Sequence, residues 1–167
     1  GCDHAIDDGP APNGGRRYLY GGDSGEYPHD VNFCVDGLVS PDHKPHTGLE
    51  ELKNVWRPLR ATMEDGVLIL RSTLDFADAG LLARCRWELS VDGNVTHGGT
   101  LPLPSIPPRG RATVPAPWQM PGQPGRVDVR LIYTAACDNG FVKAGDALGF
   151  DQLTLRQTVP ALSLIHI

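Results

Sequence analysis

Beyond about residue 58, apolar and polar positions alternate with a period of two, the mark of strands that bury one face. Cys85, Trp87, Leu89 and Val91 alternate with Arg84, Arg86, Glu88 and Ser90. Val127, Val129, Leu131 and Tyr133 alternate with Arg126, Asp128 and Arg130. Each set predicts a half-buried strand. Asp65-Gly66 delivers the run Val67-Leu68-Ile69-Leu70, and Asp92-Gly93 turns the chain so that Val95 onward runs back. Asp-Gly pairs favour such turns because both positions accept a positive φ. Leu153 and Leu155, with Phe150 just before them, close the series. The proline-rich stretches at 102 to 108 and 115 to 124 suit edges and loops, since proline donates nothing to a strand ladder. Several short strands with regular turns predict a β-sandwich.

The first 58 residues read differently. Tyr18-Leu19-Tyr20 is a short strand-like run, and Gly21-Gly22-Asp23-Ser24-Gly25 then forces a loop. Thr47 is a natural N-cap, and Glu50 three residues later completes a capping box ahead of Leu49, Leu52, Val55 and Trp56 at helical spacing. Pro58 stops that helix. The change of pattern places a domain boundary between about residues 55 and 62. Residues 1–58 form one part, 59–158 the sandwich, and 159–167 an unstructured tail. Leu162-Ser163-Leu164-Ile165-His166-Ile167 reads like an in-frame translation of a sequencing-library adapter, so the chain is expected to be a piece of a longer protein.

Composition narrows the class. The chain has 167 residues, 40% apolar and 21% charged, which fits a soluble globular protein with one domain plus part of another. Its net charge of −5 and the lack of a basic stripe argue against nucleic acid as a partner. No apolar run reaches the roughly 18 residues that cross a bilayer, so no membrane partner is expected. Cys2, Cys34, Cys85 and Cys137 stand far apart without CxxC spacing. They are expected to be free buried thiols, which leans towards a cytoplasmic location.

Several constellations invite chemistry. His43 and His46, with Asp42 beside them, could hold a metal, although they straddle Pro45 in a loop. The glycine-rich run at 21 to 25 lacks the Lys-Ser/Thr ending of a phosphate loop. Ser24, His29 and Asp30 can be written as a triad, but no nucleophile-elbow pattern surrounds the serine. Asp7, Asp8, Asp23, Glu26, Asp30 and Asp36 supply carboxylates that sequence alone cannot pair. Capping and loop solvation account for most such residues.

Three blocks together change the picture: Gly21-Gly22-Asp23-Ser24-Gly25-Glu26, Asn32-Phe33-Cys34-Val35-Asp36-Gly37-Leu38-Val39, and the run from Pro41-Asp42-His43-Lys44-Pro45-His46 to Lys53. In combination they resemble the segment that ends the catalytic barrel of family 2 glycoside hydrolases of the β-galactosidase type. β-Glucuronidase and β-mannosidase are neighbouring specificities, but the GGDSGE and FCVDGLV blocks look more like the galactosidase branch. The resemblance implies the end of a (β/α)8 barrel, loop plus last helix, followed by an immunoglobulin-like β-sandwich that acts as a spacer. Over residues 59 to 158 it rests on local features: Val55-Trp56-Arg57-Pro58-Leu59, Trp87, and Asp146-Ala147-Leu148-Gly149-Phe150-Asp151-Gln152-Leu153.

The resemblance also implies roles. The main-chain carbonyl of Phe33 and the side chain of Asp36 would sit beside a monovalent cation, Na or K, near the sugar 6-hydroxyl, with the Phe33 ring lining the galactose pocket. Mg is a further expected ion of the full-length enzyme. The catalytic glutamates fall upstream of residue 1, so Glu26, Glu50 and Glu51 are not assigned that role, and this piece alone is expected to be inactive. The whole protein would be a retaining β-galactosidase acting on terminal β-galactosides, and a homo-oligomer. A reading of another class is a non-catalytic carbohydrate-binding or spacer sandwich, which exposed aromatics on one sheet face would favour. Trp87 and Trp118 are the aromatics to weigh there, and the alternation around Trp87 predicts core packing for it.

Overall fold

The structure is a computed structural model that describes residues 7–10, 12, 14–19, 22–23, 25–29, 37–40 and 43–157. The chain forms two compact units, Gly1–Lys53 and Asn54–Ile167. The tail from residue 158 lies outside the described residues.

In the first unit, strands β1 (Asp7–Pro10) and β2 (Arg16–Tyr18) pair antiparallel. The strand falls at Arg16–Tyr18 rather than at the expected Tyr18–Tyr20; Leu19 is outside it. Helix α1 (Thr47–Val55) begins at Thr47 itself, one residue before an N-cap there would place it, and carries Glu50 in its first turn and Lys53 in its last. Those charges oppose the partial charges of the helix ends. None of its residues is buried.

The second unit is a sandwich of seven antiparallel strands in two sheets. β3 (Leu59–Glu64), β4 (Val67–Ser72) and β7 (Arg111–Pro115) form one sheet in the order β3-β4-β7. β5 (Ala83–Val91), β6 (Asn94–Leu101), β8 (Val127–Ala135) and β9 (Ala147–Arg156) form the other in the order β6-β5-β8-β9. This three-plus-four arrangement is the immunoglobulin-like architecture expected from the sequence. Both Asp-Gly pairs make two-residue turns with positive φ at each position: 48° and 79° at Asp65-Gly66, and 47° and 82° at Asp92-Gly93.

Alternation decides the core. In β5 the pattern runs buried at Ala83, Cys85, Trp87, Leu89 and Val91, and β8 buries Val127, Val129, Leu131, Tyr133 and Ala135. Leu59, Leu68 and Leu70 from the opposite sheet are fully buried against them. Each such leucine contributes about 1.5–3 kcal/mol of burial. One strict alternation fails: Asp128 is buried too, because Arg126 pairs with it at 2.9 Å and the Thr154 hydroxyl donates to it at 2.7 Å.

The proline-rich stretch after β6 leaves the sheets as expected, and Ile106 within it is fully buried. Asp78 holds it in place. Its carboxylate caps the short helix α2 (Ala79–Leu82) by accepting from Gly80 N at 2.8 Å and Leu81 N at 3.2 Å. It also accepts from Ile106 N at 2.9 Å and from the Ser105 hydroxyl. These donors, Ser105 foremost, hold the Asp78 carboxyl below its ordinary value. Gly80 lies so close to the crossing chain that a Cβ there would be 1.8 Å from the Pro104 carbonyl oxygen. The other half of the proline-rich sequence is not all loop: Pro115 ends β7, a sheet-edge strand, where a missing N–H is tolerated.

Candidate functional site

Phe33 and Asp36, the residues expected to line the sugar and hold the cation, lie outside the described residues. The chain on their C-terminal side is described, and it is tied locally. His46 Nδ1 lies 2.9 Å from the Gly37 carbonyl oxygen, and His46 N donates to Leu38 O at 2.9 Å. Ser40 N donates to Lys44 O at 2.8 Å, the Ser40 hydroxyl accepts from Lys44 N at 3.2 Å, and Val39 bridges Pro45. The described residues 37–40 and 43–46 are thus tied to one another.

His46 Nδ1 is engaged in that closure, so Nε2 is the ring nitrogen it has left to offer a ligand. His43 is exposed with φ 60°, and among the described residues no group of three or more His, Cys, Asp or Glu could hold a metal. The glycine-rich loop is closed by Glu26, whose carboxylate accepts from Gly22 N at 2.7 Å, while Gly25 N donates to Gly22 O at 3.0 Å. Ser24 and Asp30, the other members of the triad on paper, lie outside the described residues.

In the second unit the polar centre is Asp151 on β9. It is buried, and four donors meet it: Arg57 Nε at 3.1 Å, Arg57 Nη2, the Ala61 amide at 2.9 Å and the Tyr133 hydroxyl at 2.8 Å. Around it, Arg57 Nη1 donates to Asn54 O at 2.7 Å, Phe150 N donates to Asn54 Oδ1 at 2.7 Å, and the Thr73 hydroxyl donates to Arg57 O at 2.7 Å. Gly149, with φ 135°, has no room for a Cβ, which would stand 2.7 Å from Arg57 Cβ. The segment Asn54–Leu59 is therefore stitched to β9 and β4 at one edge of the sandwich.

This cluster is structural in chemistry. Four donors occupy the Asp151 carboxylate, and burial first, then the Asp151 charge, raises the Tyr133 phenol far above its usual range. The same two causes push the Cys85 thiol up to about 12, so it is inert at neutral pH. Cys137 departs from expectation: it is free but exposed, in the loop after β8 where no sheet covers it. Cys2 and Cys34 lie outside the described residues.

The aromatics divide cleanly. Trp87 and Trp118 are both buried, their ring centroids 5.8 Å apart, so neither is a sugar platform. Trp56, Phe76 and Phe141 are exposed, but each sits on a connection between elements. The row of exposed aromatics on a sheet face that a carbohydrate-binding sandwich would present is absent among the described residues.

Residues 2–61 match the glycosyl hydrolases family 2 TIM barrel domain, and residues 68–156 match β-galactosidase domain 4. A β-galactosidase of Actinobacillus pleuropneumoniae is 41% identical over 155 residues, covering 92% of this chain and 15% of that protein. One from Staphylococcus xylosus is 36% identical over 163 residues, covering 93% and 16%. One from Kluyveromyces lactis is 30% identical over 146 residues, covering 87% and 12%. The chain spans between 12% and 16% of the length of these relatives.

Proposed function

This chain belongs to glycoside hydrolase family 2, in its β-galactosidase branch, and on that footing we propose that the protein it represents is a retaining β-galactosidase. The observation that carries the reading is the succession of two family matches, barrel end and then domain 4, in the order the sequence blocks led one to expect. The substrate class is a terminal, non-reducing β-D-galactoside. Hydrolysis with retention needs one carboxylic acid to protonate the departing oxygen and a second carboxylate to attack the anomeric carbon, about 5–5.5 Å apart. We assign neither role to Glu26, Glu50 or Glu51 of this chain.

Residues of this chain position the sugar. Asp36 contributes a carboxylate and Phe33 a main-chain carbonyl, a donor set of hard oxygens that suits Na or K and leaves softer metals unsatisfied. A cation held there orients the 6-hydroxyl, while the Phe33 ring gives the sugar an apolar wall. Mg is a further ion we propose for the full-length enzyme, with no residue of this chain assigned to it. The sandwich is a spacer, and its Arg57–Asp151 pair ties the segment before β3 to β9. The free thiols of Cys85 and Cys137 favour a cytoplasmic protein, and the full-length enzyme is a homo-oligomer. No helix among the described residues is long and apolar enough to cross a membrane.

The test is the full-length protein assayed on an aromatic β-galactoside, wild type beside Asp36→Ala, with Na and K varied. The expected result is hydrolysis that falls at least tenfold in the variant and ceases to respond to the cation. An intact full-length protein with no hydrolysis would transfer the reading to a non-catalytic sandwich module.

A further inference from the structure

The outer face of the three-stranded sheet carries a row of like charges. Arg60 on β3 stands directly opposite Arg71 on β4, and Arg71 directly opposite Arg111 on β7. All three are exposed, so all three point to the same, solvent-facing side. Cross-strand neighbours in register lie roughly 5 Å apart at Cβ, and the three strands span about 10 Å. Among the described residues none of the three has a carboxylate within ion-pair distance; Arg60 donates only to the Val55 carbonyl oxygen. Like charges in direct opposition destabilise a sheet. The rest of this face does not share them: the next rows are Thr62, Ile69 and Thr113, then Glu64, Val67 and Pro115.

A cleft of about 530 Å³ opens beside the row, lined by Trp56, Arg60, Arg71, Thr73, Asp75 and Arg109 among others. Its one carboxylate, Asp75, is taken by Arg109 at 2.5 Å. Four of the chain's fifteen Lys and Arg residues thus gather at one end of one sheet in a molecule of net charge −5. Guanidinium groups present planar forks of donors that match carboxylate and phosphate oxygens. The exposed Trp56 indole supplies an apolar wall to the same cleft.

We propose that the Arg60–Arg71–Arg111 row and the adjoining cleft form a binding site for a small multivalent oxyanion, a phosphate-bearing or polycarboxylate molecule. Arg71, on the central strand, is its main anchor. The charge that repels when the site is empty becomes attraction when an anion bridges the forks, so binding stabilises the sheet. The proposal does not depend on the β-galactosidase reading.

Trp87 and Trp118 are buried, and Trp56 is the third and last tryptophan, so the solvent-exposed part of the emission reports on the cleft. The experiment titrates the 167-residue chain with pyrophosphate and, separately, with citrate, following tryptophan emission and melting temperature at constant ionic strength set by NaCl. The expected result is saturable binding by at least one of them, at least tenfold weaker in Arg71→Gln and unchanged in Arg84→Gln, with the emission change lost in Trp56→Phe. Tighter pyrophosphate assigns a phosphate ligand, and tighter citrate a carboxylate one. Without ligand at low salt, Arg71→Gln should melt no lower than wild type, because it removes a repulsion; that also shows the variant is folded. A response that follows ionic strength alone, or one that survives intact in Arg71→Gln, would overturn the site. Should Arg71→Gln fail to fold, Arg71→Lys, which keeps charge but loses the fork, must still weaken binding.

Discussion

The two units place their polar groups in opposite ways. In Asn54–Ile167, polar side chains such as Asp151, Asp128 and Ser72 are buried and satisfied, and leucines from both sheets close over them. Among the described residues of Gly1–Lys53, the named hydrogen bonds close short loops beside the β1–β2 pair, and no residue of α1, which runs on into the second unit, is buried. One region holds its shape through contacts distant in sequence; in the other the named contacts are local, and it is there that the proposed sugar-side residues Phe33 and Asp36 fall in the sequence. A domain can stabilise a protein without touching its substrate, and a pocket residue can matter greatly to turnover and little to folding.

The sharpest way to break this contrast is Asp151→Ala. It leaves Arg57 half-buried without its partner and strips the Tyr133 hydroxyl and Ala61 amide of their acceptor. A loss of about 3–5 kcal/mol is expected in urea unfolding of the sandwich. Next is a pair of leucines. Leu89→Ala, fully buried in β5, should cost about 2–5 kcal/mol. Leu52→Ala, on the helix with no buried residue, should cost under about 1 kcal/mol; equal costs would erase the distinction between units. Gly80→Ala comes third, at about 1–3 kcal/mol, because its methyl must displace the Pro104 carbonyl.

The smallest effect is a slope. The Asp78 carboxyl is held below its ordinary 3.8, mainly by the Ser105 hydroxyl. A depressed carboxyl contributes stability that is present above the unfolded value and lost as pH falls through the folded one. Wild type should therefore lose stability below about pH 4, and Asp78→Asn should lose less over the same range. An identical acid profile in the two proteins would remove Asp78 as the clasp of the proline-rich crossing.

Much of the sandwich was legible because strand burial repeats every two residues. Cys85, Trp87, Leu89 and Val91 all proved buried, and both Asp-Gly pairs made the turns that their tolerance of positive φ allows. What escaped the pattern had non-local causes. β6 is rich in glycine and almost wholly exposed, so it carries no alternation; the Asp92-Gly93 turn was the one signal that the chain runs back there, and pairing with β5 makes it a strand. Asp128 broke alternation because Arg126 and Thr154 satisfy it, and Asp151 stood unmarked within the Gly149-Phe150-Asp151 block because its partners are 18 to 94 residues away. The arginine row was invisible for the same reason: Arg60, Arg71 and Arg111 become neighbours only once register is known. Phe33 and Asp36 are the reverse case: their proposed role comes from a motif rather than from any periodicity, and both lie outside the described residues.

The most direct measurement compares Asp36→Ala and Asp151→Ala in the full-length protein, each assayed for β-galactoside hydrolysis per folded molecule and for melting temperature. The account expects a crossed result: Asp36→Ala loses cation-dependent turnover and keeps its melting temperature, while Asp151→Ala melts lower and keeps its turnover. Full cation-dependent turnover in Asp36→Ala, or unchanged melting in Asp151→Ala, would contradict it.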